Sequence, residues 1–169
     1  MVLLQSSMVS LGSKMPNFSL KGVGDCIYNA DDFSNKKVLV VIFMCNHCPY
    51  VQAMWDDLVS IAKEMESVQF VGINSNANLD YPEDSFEKMA AYAKERDMDF
   101  PYLFDEDQSV AKKFGAVCTP DIFVYGPDRK LEYRGAFEGV REAAEAILKG
   151  KKPKAQQKYS QGCSIKWVS

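Results

Sequence analysis

Val38-Leu39-Val40-Val41-Ile42-Phe43-Met44-Cys45-Asn46-His47-Cys48-Pro49-Tyr50 is the stretch on which the reading of this chain turns. Val38 to Phe43 is apolar at every position, as a strand buried on both faces of a sheet should be. Pro49 suits the first turn of a helix, where a missing N–H costs little. Beyond it, Val51, Met54, Trp55, Leu58, Ala62 and Met65 recur at helical spacing. Phe70-Val71-Gly72-Ile73 is then the next strand, and the whole forms a βαβ unit. Cys45 and Cys48 fall where the first strand hands over to the helix, the edge at which open α/β sheets carry their chemistry. A helix N-terminus favours a thiolate, and two cysteines separated by two residues can close and reopen a small disulfide ring. The pattern points to thiol-disulfide chemistry.

The same spacing also serves zinc, which needs four ligands, usually from a second C-x-x-C or a histidine pair. Here Cys26, Cys118 and Cys163 are scattered, and His47 is the single histidine. A site of Cys45, Cys48, Cys118 and His47 would be irregular, so no metal is expected. Two buried structural cysteines are the plainer reading. Against it stand the polar residues Asn46 and His47, which argue for exposure.

The 169 residues suffice for one domain with a real core, and 47% hydrophobic content excludes disorder. A net charge of −3 gives no footprint for nucleic acid. No apolar run reaches the roughly 18–20 residues of a membrane span. Met1 to Leu11 lacks the basic start of a signal peptide, and five cysteines are an odd number. Both features predict a reducing, cytoplasmic location.

Around the central unit, Phe18–Leu20 and Cys26–Tyr28 read as short strands about Gly22-Val23-Gly24. Tyr81-Pro82-Glu83-Asp84-Ser85 is a turn into a helix carrying Phe86, Met89, Ala90 and Ala93. Pro101–Phe104 is a strand, and Ser109–Phe114 a helix closed by Gly115. Ile122–Tyr125 and Lys130–Arg134 flank the turn Gly126-Pro127-Asp128-Arg129. Val140, Ala143, Ala144, Ile147 and Leu148 mark a last helix. The reading is one domain over 1–169, with a core of about 14–149 and residues 150–169 as a polar surface arm.

A βαβ half with C-x-x-C, then a ββα half whose first strand follows Thr119-Pro120, resembles the thioredoxin fold. That resemblance implies an α/β, three-layer architecture: a central mixed sheet with helices on both faces, an N-terminal hairpin and an inserted β/α segment. It also implies a cis proline at Pro120, close to Cys45. More narrowly, Cys45-Asn46-His47-Cys48-Pro49-Tyr50, Ile73-Asn74-Ser75-Asn76, Tyr81-Pro82-Glu83-Asp84-Ser85, Cys118-Thr119-Pro120-Asp121, Tyr133-Arg134-Gly135 and Gly162-Cys163-Ser164-Ile165-Lys166-Trp167 resemble a subgroup of the alkyl hydroperoxide reductase and thiol-specific antioxidant (AhpC/TSA) superfamily. The resemblance runs from about Phe18 to Trp167.

Its implication is a thiol-disulfide oxidoreductase that works through a mixed disulfide and needs no cofactor. The partners would be a protein or small-molecule disulfide or thiol, and a reductant such as a thioredoxin or glutathione system. Cys45, expected to be nearer the helix start and more exposed, is the expected attacking thiolate, and Cys48 the resolving thiol. His47 is expected to donate to, or pair with, the Cys45 sulfur. The resemblance implies that Thr119 and Pro120 offer backbone groups to a substrate. Cys118 and Cys163 are possible accessory thiols, and Cys26 is expected in the core. Two alternatives stand beside this reading: a thiol peroxidase, and a non-enzymatic binding module. Peroxidases of this kind carry a threonine three residues before the peroxidatic cysteine, a position that Cys45 occupies here. Val38 to Phe43 also lacks the buried acid of thioredoxin, so another group must carry the resolving proton.

Overall fold

In the computed structural model, which describes residues 3–5, 9–154 and 158–168, strands and helices alternate from residue 38 to residue 119. In chain order they are β1 (Leu3–Gln5), β2 (Ser19–Gly22), β3 (Ile27–Asn29), β4 (Val38–Phe43), α1 (Pro49–Glu64), β5 (Val68–Asn74), α2 (Phe86–Glu95), β6 (Tyr102–Phe104), α3 (Ser109–Phe114), β7 (Cys118–Thr119), β8 (Asp121–Tyr125), β9 (Leu131–Gly135), α4 (Val140–Leu148) and β10 (Gln161–Ser164). Seven of the strands form a mixed sheet in the order β3-β2-β6-β5-β4-β8-β9. The β4–β5 and β5–β6 pairs are parallel, and β8 and β9 close the other side antiparallel.

Strand β4 shows why a run without polar residues belongs at the centre. Every one of its side chains is shielded from solvent. Val38, Val40 and Ile42 enter one core with residues of α1, α2 and α4. Leu39, Val41 and Phe43 point the other way, into a second core with Val110, Ala111 and Phe114 of α3. Each fully buried side chain of this size is worth about 1.5–3 kcal/mol. The central strand therefore cements both layers, and its C-terminal end is a rigid platform. The expected three-layer thioredoxin fold is the fold observed. No described helix is long and apolar enough to cross a membrane.

The C-terminal segment departs from the expectation of a surface arm. Ser160, Cys163 and Ile165 are buried, and β10 joins a second sheet in the order β1-β10-β7. Side-chain amides hold the segment down. The Lys166 N–H donates to Asn76 Oδ1 at 3.0 Å. Gln108 Nε2 donates to the Lys166 carbonyl at 2.9 Å, and the Val168 N–H to Gln108 Oε1 at 2.9 Å. Polar composition signalled a solvated tail, and Lys151, Lys152, Lys154, Lys158 and Tyr159 are exposed; from Gln161 on, backbone groups instead find partners in a strand ladder and on Asn76 and Gln108.

Candidate functional site

The β4 ladder ends as Met44 N–H donates to the Ile73 carbonyl at 2.9 Å, and the chain then turns through Cys45, Asn46 and His47. Cys48 is the N-cap of α1, with extended φ −132° and ψ 124°, and Pro49 follows at the first helical position. Two premises for Cys45 as the attacking thiol are corrected here. The helix begins beyond Cys48, not beside Cys45, and both cysteines are equally shielded, at 1% exposure.

Asn46 is also buried rather than exposed. Its amide is saturated: Nδ2 donates to the carbonyls of Glu83 at 3.0 Å and Ser85 at 3.2 Å, and Oδ1 accepts from Tyr102 Oη at 2.8 Å. Its carbonyl accepts from Gln52 Nε2 at 3.2 Å. A polar side chain is buried without penalty when its bonds are made. Asn46 thus ties the cysteine loop to the segment Pro82–Asp84, which forms one turn of 3₁₀ helix.

That segment supplies a residue that sequence reading treated only as part of a turn. Asp84 is buried, accepts the His47 N–H at 2.8 Å and accepts from Asn76 Nδ2 at 3.0 Å. Burial pushes its carboxyl above the ordinary range, against those two hydrogen bonds. Its charge in turn raises the Cys45 thiol. The signal in the sequence was an acid within a quoted motif, but nothing local showed that the loop folds back over the cysteines. His47 is exposed and gives its backbone N–H to the site, through Asp84.

Across from the cysteines the Thr119–Pro120 bond is cis, as expected. Cys45 Sγ lies 3.6 Å from Thr119 Oγ1, and Cys48 Sγ lies 3.6 Å from the Thr119 carbonyl oxygen. Thr119 is paired with Cys163 of β10, so the chain's own strand occupies the edge expected to receive a substrate. Pro120 lines a separate groove of about 900 Å³ with Tyr50, Met54, Phe137 and Tyr159.

Of the accessory thiols, the structure brings Cys163 to the site and leaves Cys118 aside. Cys163 Sγ is 3.0 Å from Cys48 Sγ. Cys118 is one residue before Thr119, so strand alternation turns it to the opposite face, with its Sγ 3.9 Å from the Pro120 carbonyl. Cys26, expected in the core, is exposed, because it sits in the turn just before β3 begins. All five cysteines carry free thiols.

Of the three thiols, Cys48 stands at the start of α1. Its thiol is held down to about 4, first by the hydrogen bond from Cys45; burial opposes this, and Cys163, the Val51 N–H and Thr119 assist. Val51 is the third helical residue of α1, so the helix N-terminus contributes without a full capping bond. Cys45 is raised well above its usual value, by its hydrogen bond to Cys48, then burial, then Asp84. Burial, then Cys48, push Cys163 up to about 12. Cys45, His47, Cys48, Asp84, Cys163 and Lys166 share the lining of one cavity of about 440 Å³.

The comparisons agree with this architecture. A model of the AhpC/TSA family matches residues 11–134. The crystal structure of an uncharacterized conserved protein from Geobacillus kaustophilus superposes with a TM-score of 0.96 at 38% identity, over 99% of this chain and 97% of that one. Two likenesses from Mycobacterium tuberculosis are of fold alone. A secreted disulfide oxidoreductase is 21% identical with a TM-score of 0.58, over 68% of this chain and 79% of that one. The peroxidoxin BcpB is 23% identical with a TM-score of 0.62, over 74% and 84%. No curated protein matches the chain.

Proposed function

We propose a function from the premise that this chain belongs to the AhpC/TSA family: it is a thiol-disulfide oxidoreductase that works through Cys45 and Cys48. The observation that carries this reading is a pair of free thiols where β4 hands over to α1, with Cys48 at the helix N-cap and both cysteines lining one cavity. Cys48 is the attacking thiolate. It attacks one sulfur of a substrate disulfide, and the other sulfur leaves and takes a proton. Cys45 then gives up its proton, attacks Cys48 Sγ, and releases the second substrate thiol as the Cys45–Cys48 disulfide closes. A reducing thiol system restores the pair. This assignment reverses the roles read from sequence, because the helix terminus and its donors serve Cys48.

Asp84 is the proposed carrier of the Cys45 proton. It is the buried acid that β4 lacks, it lines the same cavity as Cys45, and burial holds its carboxyl above the ordinary range. Asp84→Asn preserves the shape of the loop but removes the base. It is expected to slow closure of the Cys45–Cys48 disulfide about 100-fold and to flatten its pH dependence. Alkylation of Cys48 should change little. Faster closure in Asp84→Asn would mean that the carboxylate acts only by raising Cys45.

The lowered Cys48 thiol also supports a second reading, peroxide reduction at Cys48. Two features oppose it. Cys45 stands where a threonine hydroxyl would hold the peroxide, and the Arg134 guanidinium is committed to Asp121 at 2.7 Å. Stopped-flow mixing with hydrogen peroxide is expected to oxidise Cys48 no faster than an ordinary thiolate. A rate orders of magnitude higher would make this chain a peroxidase, and faster reduction of a low-mass disulfide than of peroxide supports the oxidoreductase.

A further inference from the structure

Strand β10 forms or breaks no covalent bond in the chemistry above, yet it carries a third thiol into the site. Cys163 Sγ is 3.0 Å from Cys48 Sγ, and Cys163 lines the same cavity as Cys45 and Cys48. The strand is positioned by its ladder. Ile165 N–H donates to the Val117 carbonyl at 3.0 Å. Hydrogen-bonded and open pairs alternate along an antiparallel ladder, so the Cys163–Thr119 pair two residues on is again a hydrogen-bonded one. Directly paired residues project to the same face. Thr119 therefore meets Cys45, at 3.6 Å, while Cys163 beside it meets Cys48. The fit is close enough to demand glycine next door: a Cβ at Gly162 would stand 1.9 Å from the Thr119 carbonyl oxygen.

We propose that Cys163 is a third redox thiol, presented by β10, and that the oxidised site exchanges between a Cys45–Cys48 and a Cys48–Cys163 disulfide. The proposal rests on the dithiol reading above. In the exchange, the Cys163 thiolate attacks Cys48 Sγ of the Cys45–Cys48 disulfide. The Cys48–Cys163 bond forms as the Cys45–Cys48 bond breaks, and Cys45 leaves as a thiolate. The proton given up by Cys163 passes to Cys45. No electrons enter or leave the protein. Cys48 is thus the common partner of two thiols that approach it from different elements, the β4–α1 loop and the C-terminal strand. Oxidation can be passed away from Cys45 and stored against β10.

Disulfide mapping tests this. Full-length protein with Cys26→Ser and Cys118→Ser keeps three thiols; it is oxidised with diamide, a two-electron thiol oxidant, and its digest is read by mass spectrometry. Both linked peptides, 45–48 and 48–163, are expected. Adding Cys45→Ala should leave the Cys48–Cys163 linkage as the main product. Gly162→Ala, which touches no sulfur, should lower the yield of 48–163 relative to 45–48. If Cys45→Ala keeps both remaining thiols, or carries only oxidant-derived adducts on Cys48, the proposal is overturned. A 45–48 linkage alone overturns it too, while leaving the dithiol reading standing. A 48–163 linkage without any 45–48 linkage overturns the exchange together with the dithiol reading.

Discussion

Cys48→Ser is expected to abolish disulfide reduction, with a loss of roughly 10³-fold or more, because it removes the nucleophile outright. Cys45→Ser should instead retain the first attack and prolong the mixed disulfide at Cys48. The trapped species should become most stable in the double variant Cys45→Ser/Cys163→Ser, in which neither neighbouring thiol can resolve it. The reason is the placement of Cys48 at the start of α1, with the Cys45 thiol as its strongest hydrogen-bond donor and Cys163 and Val51 assisting. The same arrangement fixes a pH signature. The folded value of about 4 lies below that of an unfolded cysteine, so the thiolate adds stability above the unfolded value of roughly 8.5, and this is lost as pH falls through about 4. Alkylation of Cys48 in the folded protein should therefore stay level from neutral pH to about pH 5 and fall below it. Capture of substrate by Cys48→Ser, but not by Cys45→Ser, would restore Cys45 as the attacking residue.

Arg134→Ala is expected to cost about 3–5 kcal/mol of folding stability, the usual result of orphaning one member of a buried ion pair. Arg134 and Asp121 are both buried, and the pair is held by two contacts, Nη2 to Oδ2 at 2.7 Å and Nε to Oδ1 at 3.2 Å. Arg134 also donates to the Gly115 carbonyl at 3.2 Å, and its guanidinium carbon lies 4.4 Å from the centre of the Phe123 ring. The pair joins β8 to β9 directly beyond Pro120, so the arginine is neither a solvated strand residue nor a free charge for the cysteines. A loss of this size would consume a large share of a typical 5–15 kcal/mol. Urea denaturation measures it.

Burial lifts Asp121 to about 6 even with its partner present. Without Arg134 the native carboxyl holds its proton to still higher pH than the unfolded chain does. The deficit should therefore shrink as pH is lowered from roughly 8 to 5. The apolar double variant Asp121→Leu/Arg134→Met should recover most of the loss, since no charge remains buried. A cost of under about 1 kcal/mol for Arg134→Ala would mean that solvent reaches Asp121.

Local pattern was enough to determine the elements and their order. Val38 to Phe43 allowed no other place than the middle of a two-faced sheet, because no polar side chain marks an exposed side. The spacing from Val51 to Met65 made α1 an amphipathic helix against it. Once that βαβ unit stood, the position of Cys45 and Cys48 at its functional edge followed from chain connectivity alone. Gly115 closed α3 as expected, with a positive φ of 77°.

Tertiary structure decided everything that depends on segments distant in sequence meeting. Which cysteine heads the helix was a matter of one turn of backbone, and a C-x-x-C pattern is the same whether the helix starts before or after it. Asp84 became a site residue only because Asn46 pins its loop over the cysteines through bonds across 37 residues or more. The arm from residue 150 looked solvated because its side chains are polar or small. Its fate was settled by backbone groups, which composition does not display, finding partners on β7, Asn76 and Gln108. That docking also carried Cys163 across 115 residues of sequence to Cys48, whereas Cys118, far nearer the proline in sequence, was turned away by the alternation of a strand.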